Sequence, residues 1–290
     1  MNKIEESELI INDDGSVFHL HLLPEQIADD IILVGDPGRV DMFCKHFEKI
    51  EHHVQNREFV TKTGFYNGKR LTVLATGIGT DNIDIVINEL DALANINLKT
   101  RTEKTEKKSL NLLRVGTSGG LQEDLAVGSF LMSEYSIGFD GLLNWYRDSE
   151  KFMDLDFENA LKKHLSWNPR LTSPYVVKSS ETLMNRVGSD FRRGITISSP
   201  GFYGPQGREL RLQIQDRNIN NKIRAFKYNN KCITNYEMES SALCGLSLML
   251  GHNATTVCVI IANRFAKEFL PNYKDSMEKL VEIVLERLTK

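Results

Sequence analysis

With 290 residues, 41% of them hydrophobic, the chain is long enough to bury a sizeable core as one large α/β domain. Its 36 basic and 39 acidic residues leave a net charge of −3, which excludes the broad cationic field that would concentrate a nucleic acid. The four cysteines, Cys44, Cys232, Cys244 and Cys258, form no CxxC pair, so neither disulfides nor structural zinc are expected and a cytoplasmic location is.

Residues 1–16, MNKIEESELIINDDGS, are too acidic for a secretory signal and read as an N-terminal extension to a single domain over 17–290. His19 and His21 alternate along a possible strand, and the seven histidines show no metal-ligand spacing, so no metal centre is expected. A buried strand at Ile31 to Val34 leads into VGDPGR (34–39), read as a sharp turn through Pro37 and Gly38. Its backbone N–H groups and Arg39 suit an anion, although a plain turn with a surface arginine explains the same letters. A second strand, Leu71 to Thr76, enters TGIGTDN, which lacks the third glycine of a dinucleotide fingerprint and reads as a strand-to-helix turn. In the helix that follows, Ile83, Ile87, Leu90 and Ala94 share a face, with Thr80 or Asp81 as cap. RTEKTEKKS (101–109) reads as a solvated loop insertion.

Arg114 then interrupts an apolar strand at LLRVGT, and a buried guanidinium there needs an anionic partner, either a carboxylate or a bound phosphate. RVGTSGG (114–120) also fits G-x-S-x-G with Ser118 as a nucleophile, but LQEDLAVGS leaves no room for the helix that such an elbow requires before the strand-like run SFLMSEYSI. In GFYGPQGREL (201–210) the turn needs only Gly204, Pro205 and Gly207. Phe202, Gln206 and Arg208 are surplus to it, and together suit a flat heterocycle with carbonyl and N–H edges. TNYEMES predicts a helix from Tyr236 to about Leu250, with Thr234 and Glu237 as a capping box. Glu239 would then project from another face, either as a surface acid or as a grip on sugar hydroxyls. A strand at Thr256 to Ile261 and a helix carrying Met277, Leu280, Val284 and Leu288 complete an alternation typical of an α/β sandwich with a largely parallel or mixed sheet. No apolar run approaches the length of a membrane span.

Taken in order, VFHL, VGDPGR, NREF, TGIG, RVGTSGG, GFYGPQGR, NYEMES and IIANR resemble the nucleoside phosphorylase family, most closely its uridine phosphorylase branch, from Val17 to the last helix. The resemblance implies a three-layer αβα sandwich with a mixed, partly barrel-like central sheet. It also implies a hexamer built from dimers with shared active sites. The implied reaction is reversible phosphorolysis of uridine to uracil and ribose 1-phosphate, with inorganic phosphate as co-substrate and no organic cofactor. Position by position, the resemblance gives Gly35, Arg39, Arg114 and Thr117 to the phosphate, joined by Arg57 of a neighbouring subunit. Met238 and Glu239 would face the ribose, with a neighbour's His19 at the 5′ hydroxyl, while Phe202, Gln206 and Arg208 would hold the base. Catalysis falls to Arg208, Glu239 and Arg114. Asn263 stands where purine-specific relatives carry an aspartate, which favours a pyrimidine.

The chain departs from the family pattern at Gly207, at Ser118 and at Asn82, which replaces a serine expected near Glu58 at an interfacial potassium site; potassium therefore stays open as a cofactor. The competing readings are a phosphorylase or nucleosidase acting on a purine nucleoside or AMP, a serine hydrolase using Ser118, and a non-catalytic nucleoside-binding protein.

Overall fold

The computed structural model describes residues 3–290, and its layers follow from side-chain alternation in β1 (Asp30–Val34). Successive strand residues point to opposite faces. Ile31 and Leu33 accordingly enter one apolar cluster, while Ile32 and Val34 enter another. All four are fully buried, each stabilising the fold by about 1.5–3 kcal/mol.

The first half of the chain continues with α1 (Pro37–Cys44), β2 (Lys49–Asn56), β3 (Phe59–Tyr66), β4 (Lys69–Ala75), α2 (Thr80–Asn95), β5 (Ile96–Asn97), β6 (Thr102–Glu103) and β7 (Asn111–Gly120). Next come β8 (Phe130–Gly138), α3 (Leu155–Leu165), β9 (Tyr175–Lys178), α4 (Glu181–Gly188), β10 (Arg192–Ser198) and α5 (Ile219–Ala225). The chain ends with β11 (Lys227–Tyr228), β12 (Lys231–Glu237), α6 (Ser240–Leu250), β13 (Asn253–Asn263), β14 (Glu268–Phe269) and α7 (Lys274–Thr289). Helices α2 and α6 cover one face of the sheet, and α1, α4 and α7 the other. A third cluster, centred on Phe157 of α3 and Ile223 of α5, packs on β10 and β12.

The main sheet runs β2-β3-β4-β1-β7-β13-β8-β10-β12-β11, with β9 on β8 and β14 on β13. A further pairing of β12 with β7 closes five strands, β7, β13, β8, β10 and β12, into a mixed barrel. Closure needs β7 to leave its partner β1 after Val115 and curve until Gly119 and Gly120 meet Tyr236 and Asn235. A register shift in β13 between Ile260 and Ala262 provides the bend alongside it. The partly barrel-like sandwich expected above is the fold observed.

Local expectations fared less evenly. VGDPGR is not a free turn: Pro37 opens α1, and the Asp36 side chain accepts the Gly38 N–H at 2.9 Å, so the pair is a capped helix start with Arg39 in its first turn. Neither Thr80 nor Asp81 caps α2; Gly79 is the capping position and has no side chain to offer. TNYEMES does not open a helix at Tyr236. It finishes β12, α6 starts at Ser240, and Thr234 instead donates its hydroxyl to Ile195 O of the adjacent strand β10 at 2.9 Å. His19 and His21 lie in a turn rather than a strand. The charged insertion is more than a solvated loop, because Thr102–Glu103 pairs with β5 and Lys104 Nζ donates to Ala94 O at 2.8 Å, at the C-terminal end of α2. The N-terminal extension leans on this hairpin through Ile4 N–H to Arg101 O at 2.8 Å. Among the described residues no helix is long and apolar enough to cross a membrane.

Candidate active site

Parallel strands β1, β4 and β7 deliver their C-terminal ends to one place, where ligands of open α/β sheets gather. Gly35 follows β1. A Cβ built there would lie 3.8 Å from Arg114 Nη2 and 3.9 Å from Arg39 Nη2, so both guanidinium groups converge above this glycine. Arg39 donates from Nη1 to Val115 O at 3.2 Å, and its Nε has no partner. Burial lowers its affinity for a proton, and the neighbouring charge of Arg114 lowers it further. Two like charges held side by side call for an anion between them.

Arg114 reaches this place by folding back along its own strand. A Cβ on Gly116 would stand 2.2 Å from Arg114 Nη1 and 3.3 Å from Cys258 Sγ, so the missing side chain is the space that the guanidinium occupies. Arg114 is 4% exposed and pairs with Glu239 through Nη2, while Glu237 Oε2 lies 3.6 Å from Nη1. Among the described residues its Nε and Nη1 have no hydrogen-bond partner. Burial opposes its charge, but the two carboxylates outweigh that and hold the guanidinium above its ordinary pKa. Burial likewise pushes the Glu239 carboxyl upward, against the pull of Arg114.

The carboxylates come from the junction between β12 and α6, so Glu237 and Glu239 do not lie on separate faces of a helix. Glu237 Oε2 accepts the N–H groups of Glu239 and Ser240, both at 2.9 Å, and thereby caps α6. Its Oε1 accepts the Ser198 hydroxyl at 2.5 Å. The same carboxylate is both cap and neighbour of Arg114. Glu239 Oε1 accepts the Gly79 N–H at 2.9 Å, which ties this acid to the start of α2. Thr117 and Met238 are half-buried close by in sequence.

Phe202, Gln206 and Arg208 form a separate group. Gln206 is buried, and Arg208 Nη1 donates to its Oε1 at 2.5 Å and to Phe202 O at 2.6 Å. The guanidinium also covers the Phe202 ring, 3.8 Å from its centre. The structure therefore brings Phe202, Gln206 and Arg208 together, but bonded to one another. Gln206 and Arg208 line a small cavity with Gly119, Gly120, Tyr236 and Arg264. Arg208 is pulled down to about 10, first by burial and then by the charge of Arg264. Arg264 was not among the expected site residues. Its Nη2 has no partner, and an arginine closing the apolar run IIANR is the same signal that singled out Arg114.

His19 and Arg57 stand apart from the Gly35 cluster: among the described residues no hydrogen bond or ion pair joins them to Arg39, Arg114 or Glu239. Arg57 sits at the β2–β3 turn with φ 53°, a left-handed conformation that costs a non-glycine residue about 1–2 kcal/mol. Its guanidinium lies 5.4 Å from the Phe18 ring centre, and Phe18 packs edge-on against His19. Ser118 is no nucleophile. It lies inside β7, its Oγ accepts from Asn235 Nδ2 at 3.2 Å, and no helix follows it before β8. Asn263 is used up structurally: Nδ2 donates to Gln122 O and Leu125 O at 2.7 and 2.8 Å, and Oδ1 accepts the N–H groups of Phe265 and Ala266.

Residues 29–289 match the profile of the Phosphorylase superfamily. The chain belongs to that superfamily. It is 30% identical to a uridine phosphorylase of Haemophilus influenzae over 277 residues, covering 93% of this chain and 96% of that protein. Identity is 29% over 272 residues to a DeoD-type purine nucleoside phosphorylase of Clostridium perfringens, with 92% and 97% coverage. A crystal structure of a Trypanosoma brucei nucleoside phosphorylase, described as showing uridine phosphorylase activity, superposes with a TM-score of 0.83 at 28% identity, covering 97% of this chain and 99% of that one. The superfamily membership fits the paired guanidinium groups over Gly35.

Proposed function

We infer that the protein catalyses reversible phosphorolysis of uridine, giving uracil and ribose 1-phosphate. The observation that carries this reading is the convergence of Arg39 and Arg114 over Gly35 with N–H groups unclaimed, beside a carboxylate pair. A phosphate dianion would satisfy both guanidinium groups through Gly35, Arg39, Arg114 and Thr117. Glu239, with Met238 beneath the sugar, would accept from the 2′ and 3′ hydroxyls. A phosphate oxygen then bonds to C1′ as the bond from C1′ to N1 breaks, and the bonding pair leaves with the base. Arg208 opposite a base carbonyl stabilises that developing charge, which is worth most in the transition state. No enzyme-bound covalent intermediate arises. Phe202 and Gln206 supply stacking and edge recognition.

The purine alternative deserves weight because the identity to a purine nucleoside phosphorylase is nearly as high. The flap chemistry favours a pyrimidine: Gln206 and Arg208 present an amide and a cation, and the amide of Asn263 is fully engaged by backbone groups and holds no acidic proton to donate. In the form proposed, a hexamer of dimers in the cytoplasm, His19 and Arg57 of each copy complete a neighbour's site. Residues 17–290 would act as one domain with 1–16 appended. Among the described residues no three His, Cys, Asp or Glu side chains are grouped to hold a metal ion.

Uracil release from uridine should require inorganic phosphate and should exceed base release from thymidine, inosine or AMP. Equal release in phosphate-free buffer would establish a hydrolase instead, and a preference for inosine or AMP would move the protein to the purine branch.

A further inference from the structure

The proposed function leaves Glu89 without a role, although four short contacts converge on its carboxylate from the segment that carries His19. Glu89 Oε1 lies 2.7 Å from His19 Nδ1. The same oxygen accepts the His19 backbone N–H at 2.9 Å, and Oε2 accepts that N–H at 3.1 Å and the Leu20 N–H at 2.7 Å. Asn56 Nδ2 closes the arrangement from the other side, donating to His19 O at 2.8 Å. Residue 19 lies in a turn, where the backbone has no ladder to satisfy its N–H groups, so the helix α2 carboxylate takes their place. The side chain of Glu89 is only 12% exposed, and that of His19 is 29% exposed.

We propose that Glu89 is the positioning residue for His19: it holds the hydrogen on Nδ1 and turns Nε2 outward as the acceptor for the 5′ hydroxyl of a nucleoside bound by a second copy of the chain. A carboxylate can only accept, so Nδ1 must donate to it, and in a neutral imidazole that leaves Nε2 with its lone pair. Among the described residues nothing hydrogen-bonds to Nε2. A carboxylate behind a histidine fixes both tautomer and ring orientation. The inference rests on the proposed function.

The test compares uridine with 5′-deoxyuridine, which lacks the hydroxyl in question, in the wild type, Glu89→Gln and His19→Ala. Wild type should prefer uridine by about tenfold in kcat/KM, the worth of one good hydrogen bond. Glu89→Gln should lose most of that preference by falling on uridine while changing less than about twofold on 5′-deoxyuridine. His19→Ala should do the same, and the double variant should be no worse than His19→Ala alone. A Glu89→Gln enzyme that falls equally on both substrates shows a merely structural role and overturns the proposal, as does one that keeps full preference for uridine. If wild type releases no uracil in the presence of phosphate, the proposed function fails first and takes this inference with it. If wild type and His19→Ala behave as stated and Glu89→Gln does not, only this inference fails.

Discussion

The floor of the site and the flap above it solve opposite problems. On the floor, Arg114, Glu237 and Glu239 are buried, and backbone N–H groups lock the two carboxylates that flank the guanidinium, so the geometry exists before any ligand arrives. On the flap, Phe202 is half exposed, and Arg208 spends its hydrogen bonds on Phe202 O and on Gln206. Under the proposed function a base would enter by exchanging those contacts for its own. Under the proposed function, the charge needed at the reaction centre is built into the sheet, whereas recognition of the base is left to a loop.

That contrast is open to attack by mutation, and the floor should respond most. Arg114→Met leaves two buried carboxylates without a countercharge, so it should abolish turnover and also lower unfolding stability by about 3–5 kcal/mol, read by denaturant titration. Arg208→Leu should lower kcat by about 100–1000-fold, yet cost only about 1–2 kcal/mol of stability, since its bonds to Gln206 Oε1 and Phe202 O and its contact with the Phe202 ring lie on a partly exposed loop. Gly116→Ala puts a methyl group where Arg114 lies, and should raise the phosphate KM with a loss of about a hundredfold in kcat/KM, uridine affinity changing far less. Phe202→Ala should be mildest, weakening uridine by about tenfold through lost stacking while leaving the phosphate KM in place. Equal stability losses in the Arg114 and Arg208 variants would erase the distinction between floor and flap.

Much of this was readable from the letters where one physical demand dominates. An arginine inside LLRVGT can be buried only with an anionic neighbour, and the surplus side chains of GFYGPQGR have no use in a turn. The strands of β1, β4, β7 and β13 announced themselves by β-branched runs. β2, KIEHHVQN, did not, because it is an exposed edge with few apolar residues. The β12–α6 junction was misread because Thr234 and Glu237 have the spacing of a capping box, and only barrel closure shows that Thr234 belongs to a strand. Glu237 caps the helix from three residues before it, a geometry no spacing rule contains. Glu89 was invisible since its partners lie 69 and 70 positions away.

Helix α2 begins at Gly79, whose N–H holds Glu239, and ten residues later carries Glu89, which holds His19; at helical rise the two lie about 15 Å apart. In a dimer with exchanged histidines, one rigid rod would thus touch the sugar in its own cleft and brace the group serving the cleft next door. In such a dimer, any tilt of that rod on substrate entry would be felt at both addresses and would couple the two centres mechanically.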